Sequence, residues 1–311
     1  MSYLLPTDIA ESASKISKKK SGLSFGKMLI LGILAGAYVG FGANVATVVG
    51  SDAAKYLGTG VGQFLFGAVF SVGLMLVLIA GAELFTGNNM FMIIGVLNGD
   101  CTWGSLSRNW AVVWLANLIG SVLLVYLIVF GYYGTLTPDA STLGWLKGVV
   151  GAKALLIAKG KLELTWISAF SRAILCNWIV CLAVWLSLAS NDVASKIFAI
   201  FFPIMAFATC GFEHSVANMF FVPMGLVLSH FPALVDLAAH SVLTAQQAAV
   251  LAGGGTLPAD ALTAIAQFKA AIPDLFTWQH FLVNNLIPVT LGNIVGGSVL
   301  VAGFYWYAYQ R

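Results

Sequence analysis

The chain is 311 residues long and carries 15 Lys and Arg against 12 Asp and Glu, a formal net charge of +3. Only 9% of it is charged, 59% is hydrophobic and the mean hydropathy is +0.92. These values exclude a soluble domain, give no footing for nucleic acid, and make the lipid bilayer the chain's solvent.

In chain order, residues 7–20 predict a helix with Ile9, Ala13 and Ile16 on one stripe and lysines elsewhere. Such a segment lies at a membrane interface or gates a cytoplasmic mouth. Six crossings follow, at about 28–49, 62–97, 109–131, 165–190, 197–229 and 281–308. A straight span needs about 20 residues, so the second and fifth runs are too long for one uninterrupted helix. Glu83 is the sole formal charge between Phe64 and Leu97, and Glu213 the sole one between Ile197 and Ser229. Each run is therefore one crossing broken in two, at Gly81 to Met90 and at Gly211 to Met219. Opening a helix in hydrocarbon strands backbone N–H and C=O groups at several kcal/mol apiece, and is tolerated only where protein or a watery cavity satisfies them. A Glu or His at such a break is a functional candidate by default.

Lys15, Lys18, Lys19, Lys20 and Lys27 precede the first crossing and put the N-terminus in the cytoplasm. An even number of crossings returns Arg311 to the same side, with Arg108 and Lys196 in short cytoplasmic loops. The third loop breaks the rule, because Lys147, Lys153, Lys159 and Lys161 land outside. The first apolar run has no small-residue cleavage site after it and is no removable signal. Cys101, Cys176, Cys181 and Cys210 show no metal spacing and are expected to be buried, reduced and structural; no cofactor is expected. An insert at about 230–278, punctuated by Pro232, Gly253 to Gly255, Pro258 and Pro273, predicts an extracellular cap with a short amphipathic helix at 259–271. The division is thus a cytoplasmic N-terminal segment, 1–27, and a six-helix domain, 28–311, that carries the insert.

Three landmarks recur in order: Asn44 and Asn177, the breaks at Gly81 and Gly211, and Asn117 and Asn293, each of the last pair followed three residues later by glycine. Each half holds three crossings, so the second half enters from the opposite face. The expected fold is all-α, two inverted three-helix repeats with the second and fifth helices broken.

The stretches Gly81 to Asn88, Cys176 to Trp185, Gly211 to Phe220 and Asn285 to Gly297 together closely resemble the formate/nitrite transporter family, over about residues 22–310. Within it, Phe212 to Gly225 looks most like the formate channels. The resemblance implies an aquaporin-like protomer with its own pore, a homopentamer, and a bacterial or archaeal cytoplasmic membrane. It also implies roles. His214 matches the family's central pore histidine and Thr86 its pore-loop threonine; Asn177 and Asn293 match asparagines near the pore; Lys161 matches a lysine at the mouth that draws anions inward. Phe70, Leu74 and Phe207 fall at an inner slit and Leu84 near an outer one, with Val180 also at a constriction. A carboxylate lining an anion pore would repel its cargo, so Glu213 and Glu83 are expected to accept hydrogen bonds from the broken-helix amides.

The function this implies is a channel or transporter for formate, passive or proton-linked, and no enzyme. Nitrite is the first alternative, with hydrosulfide, acetate and lactate behind it. A dry slit penalises a bare anion far more than a neutral acid. His214 would either donate a proton, directly or through Thr86, or stabilise a conducting anion together with Thr86 and the half-helix amide ends. An intramembrane enzyme is disfavoured because no HExxH or GxSxG motif occurs, and a water or glycerol channel because no paired Asn-Pro-Ala repeat does.

Overall fold

Every apolar run forms helix in the computed structural model, which describes residues 3–134 and 144–311. Helix α1 (Pro6–Ser21) leads into α2 (Phe25–Val49), which the Ser24 hydroxyl caps by accepting from the Lys27 amide. The second crossing is α3 (Thr59–Gly81) and α4 (Phe85–Leu97), and the third is α5 (Trp103–Tyr133). The second half repeats this plan with α6 (Val149–Leu162), α7 (Trp166–Ser187), the pair α8 (Val193–Thr209) and α9 (Ser215–Leu228), and finally α13 (Trp278–Tyr309). Between α9 and α13 lie α10 (Pro232–Ala239), α11 (Ala245–Ala252) and α12 (Ala259–Leu275).

Both ends of the chain meet on one side. Gln310 donates to the Ala10 carbonyl at 2.7 Å and accepts from Asn98 at 3.1 Å. This is the terminal side; the opposite one is called distal. Helix α1 is packed rather than lying free, with Ile9, Ala10 and Ala13 in the core. Its counterpart α6 falls in the loop read only as lysine-rich. It buries Val150, Ala154, Leu155, Ala158 and Leu162 on one face, while Lys153, Ile157 and Lys161 share another at helical spacing.

The repeats match contact for contact at several points. Glu83 N–H donates to the Leu31 carbonyl and Glu213 N–H to that of Arg172. A Cβ on Gly120 would fall 1.9 Å from the Ile33 oxygen, and one on Gly296 2.4 Å from the Ile174 oxygen. Small residues thus let α2 cross α5, and α7 cross α13, at backbone contact. Leu31 and Arg172, and Ile33 and Ile174, share one offset in the sequence, and that offset makes Gly36 the partner of Asn177. The expected equivalence of Asn44 and Asn177 does not hold: Asn44 donates to Tyr132 Oη, and the two asparagines agreed in crossing but not in turn.

In the insert, α12 extends past the predicted 259–271 and buries Ala261, Ile265, Phe268 and Ile272. Lys269 ties it to Asp236 of α10 at 2.6 Å. Of the cysteines, three are buried and Cys210 is exposed, against the expectation that all are buried, because it ends α8 where the helix opens.

Gly120→Ala should destabilise the protein by about 1–3 kcal/mol through overpacking. Gly131→Ala on the same helix meets nothing within 4 Å and should be neutral or slightly stabilising. Heat-inactivation half-lives of the detergent-solubilised variants check this; equal half-lives would show that the α2–α5 crossing yields freely.

Candidate functional site

Two glycines open the helices. Gly81 has φ +93° and Gly211 φ +68°, left-handed conformations open to glycine without a Cβ penalty. The following residues run extended, Leu84 at φ −105°, ψ 123° and His214 at φ −112°, ψ 119°, and a new helix starts one residue later. Here the chain exposes the groups that an intact helix would pair.

One asparagine repairs each opening, and both do so in the same way. Asn117 Oδ1 accepts from Phe85 N–H at 2.9 Å, and its Nδ2 donates to the carbonyls of Gly32 and Glu83 at 2.8 and 2.9 Å. Asn293 Oδ1 accepts from Ser215 N–H at 2.8 Å, and its Nδ2 donates to the carbonyls of Ala173 and Glu213 at 2.8 and 3.0 Å. Asn177 Nδ2 points to the carbonyls of Asn293 and Thr86 at 2.7 and 3.2 Å and to Asn89 Oδ1 at 3.2 Å. Asn177 and Asn293 are fully buried and spend their amides on backbone. Neither borders the two cavities described below, because the carbonyls of the broken and neighbouring helices occupy their donors.

The carboxylates also depart from expectation. Glu213 takes Lys161 Nζ at 2.8 Å and Asn218 Nδ2 at 2.6 Å. Glu83 takes Lys20 Nζ at 2.7 Å and Asn88 Nδ2 at 2.8 Å. Asn88 and Asn218 in turn donate to Asn109 and Asn285, both at 2.8 Å. A buried carboxylate needs a counter-charge before it needs an amide, and α1 and α6 exist at these places to deliver one. Lys161 is therefore ion-paired, not a free mouth charge. Lys20, Asn88, Asn109, Asn218 and Asn285 escaped notice as a set. The signal was there in the equal spacing from Glu83 to Asn88 and from Glu213 to Asn218, and from Asn109 to Asn117 and from Asn285 to Asn293.

Between these frames one side chain from each break meets the other in a polar contact. Thr86 Oγ1 lies 3.0 Å from His214 Nε2, both buried. His214 is also the N-cap of α9: Ala217 N–H donates to its Nδ1 at 3.1 Å. With Nδ1 accepting, a neutral ring carries its proton on Nε2 and donates it to Thr86 Oγ1. The Thr86 hydroxyl hydrogen is then left to serve another acceptor.

A cavity opens on each side of this contact. The distal one, about 160 Å³, is bordered by Lys153, Lys161, Phe70, Phe207, Phe221 and His214. The terminal one, about 460 Å³, is bordered by Lys20, Lys196, Glu83, Gly81, Phe91 and Val184 among others. Phe207 stacks on His214 at 5.9 Å and meets Phe70 edge-on at 5.6 Å. Phe70 and Phe207 thus stand on the distal side, not at the terminal-side slit assigned to them, because α3 starts at the distal face and α8 ends toward it. Leu74, Leu84 and Val180 are buried in the core and border neither cavity.

Residues 7–307 match the family described as formate/nitrite transporter. The chain is 42% identical to a probable formate transporter of Methanothermobacter thermautotrophicus, over 100% of this chain and 98% of that one. It is 33% identical to the formate channel FocA of Escherichia coli strain K12, over 99% and 95%. Among solved structures it resembles a pentameric formate channel with formate bound, at TM-score 0.69 and 34% identity, over 92% of this chain and 98% of that one.

Lys161→Met should leave Glu213 buried without its cation and destabilise by about 3–5 kcal/mol, whereas adding Glu213→Gln should recover most of the loss. Heat-inactivation half-lives of the single and double variants read this directly. A single variant as robust as the parent would mean that the ion pair does not hold α6 in place.

Proposed function

Because the chain belongs to the formate/nitrite transporter family, we propose that it conducts formate through a pore in each protomer of a homopentamer. It is an integral membrane protein of transport, not an enzyme. The membrane is the cytoplasmic membrane of a bacterium or archaeon, with both termini in the cytoplasm, as the lysines before α2 favour. The insert of α10 to α12 then caps the outer face.

One observation carries the reading: the contact of Thr86 with His214, made by two opened helices, stands between two lysine-bordered cavities. Formate needs hydrogen-bond donors where it sheds water. Thr86 Oγ–H is one, and His214 Nε2–H becomes a second when it swings from Thr86 to the anion. The N-terminal ends of α4 and α9 meet here with their positive dipole ends. Phe70 and Phe207 narrow the distal approach, and Leu74, Leu84 and Val180 close the other side, so that water does not form a continuous file.

The tautomer constrains the proton. Giving up the Nε2 proton with Nδ1 still accepting from Ala217 would leave an imidazolate, and loading a second proton on Nδ1 would break the cap of α9. His214 therefore lends a hydrogen bond and keeps its proton; a proton that accompanies formate comes from cavity water. Nitrite, hydrosulfide, acetate and lactate offer related chemistry, and nothing in the site's geometry ranks any of them above formate, whose relatives cover the whole chain.

Proteoliposomes bearing the wild-type protein should take up formate. His214→Asn keeps a cap acceptor for Ala217 N–H and should lower uptake about tenfold, the worth of one hydrogen bond to an anion at ~1.5 kcal/mol, with the shape of the pH profile preserved. A flattened profile would make His214 the proton donor after all, and no formate uptake by the wild type would overturn the functional reading.

A further inference from the structure

Each cavity holds two kinds of lysine. Lys161 and Lys20 are spent: each ammonium sits 2.8 or 2.7 Å from a carboxylate that is itself buried, and a neutralised pair presents a dipole to an approaching anion, not a charge. The distal cavity is bordered by a second lysine, Lys153, and by no Asp or Glu at all. The terminal cavity is bordered by Lys196 and, at its exposed rim, by Lys19, and has Glu83 as its one carboxylate, which already belongs to Lys20. Among the described residues, no Asp or Glu oxygen lies within ion-pair distance of Lys153 or Lys196.

We propose that Lys153 and Lys196 are the anion-collecting charges of the distal and terminal cavities, and that Lys161 and Lys20 are positioning residues that hold the frame. The proposal rests on the anion-permeation reading above and names the residues that feed its site. The repeat supports it. The α6 face of Lys153, Ile157 and Lys161 corresponds by the common offset to Ser12, Ile16 and Lys20 of α1, so the paired lysines are copies of one another while Lys153 answers to a serine. Along the broken helices the repeats keep a second offset, that of Glu83 to Glu213, and by it Lys196 corresponds to Phe66, which borders the distal cavity. Lys153 and Lys196 are thus not inherited from the duplication. They stand at two unrelated positions, one on α6 and one on α8, and each reaches its own cavity. Both are half-buried, and burial pushes the Lys153 ammonium below the ordinary lysine value. That is the cost of keeping an unpaired cation in a partly dehydrated wall, where low-dielectric walls focus its field into the cavity.

Two measurements test this. In the first, oriented vesicles take up formate at low substrate and low ionic strength. Lys153→Gln should raise the apparent KM for formate entering from the distal side about three- to tenfold, and Lys196→Gln should do so from the terminal side. Both effects should fade above ~0.5 M salt, where screening acts within a few ångströms, and Lys153→Arg should restore the parent value. The second reads the field without transport. Ala208 borders the distal cavity, so a cysteine placed there in a Cys210→Ser background reports the ratio of its reaction rates with anionic and cationic methanethiosulfonates. Lys153→Gln should lower that ratio about tenfold and Lys161→Gln/Glu213→Gln should leave it nearly unchanged. An unchanged ratio in Lys153→Gln, or a larger drop in the double variant, overturns the proposal. A wild type that passes no formate but shows the expected ratios would sink the permeation reading alone.

Discussion

An opened helix inside a membrane must have its freed amides and carbonyls bonded by something other than water, and the rest of this structure follows from how that is done twice. Asn117 and Asn293 each take one amide at the start of the new helix and give their own amide hydrogens to two carbonyls. Each clamp reaches across to the first crossing of its repeat, α2 or α7, which can come close enough because glycine stands at Gly120 and Gly296. The backbone is therefore dear to disturb and free to stay open, which is what a pore through the middle of a helical bundle requires.

The clamps are symmetric, but the centre they hold is not. Leu84 and His214 occupy equivalent turns, as do Phe85 and Ser215, and Thr86 and Val216. One repeat supplies an imidazole and the other a hydroxyl, so the contact of the two at the centre exists only where the halves meet. The duplicated frame gives the protein two cavities and two buried ion pairs, and divergence within that frame gives it one site. Lys153 and Lys196 extend the same pattern outward, each at a position whose repeat partner, Ser12 or Phe66, lacks a charge.

Much of this was legible in the residues. The lengths of the two broken runs, the lone Glu in each and the glycine before it located the breaks without any structure, and His214 and Thr86 stood out as polar groups beside those breaks. What was not legible depended on contacts across the sequence. Asn44 looked like the partner of Asn177 because both lie within comparable crossings, yet an asparagine's role depends on which carbonyl it faces. Lys161 looked free because Glu213 is distant in sequence. Helix α6 looked like a loop because a short buried helix with three lysines has neither the length of a span nor the polarity of a surface helix. The sides of Phe70 and Phe207 were reversed because a break marks where a helix opens, not how far it has travelled when it does so.

The central claim is that His214 is held as a neutral hydrogen-bond donor by the cap it provides to α9. Solid-state nitrogen-15 NMR of the protein in lipid, with its histidines labelled and His214 assigned by comparison with His214→Asn, reads the two ring nitrogens separately. At neutral pH the account predicts a bare Nδ1 and a protonated Nε2. A proton found on Nδ1, alone or together with Nε2, would contradict it.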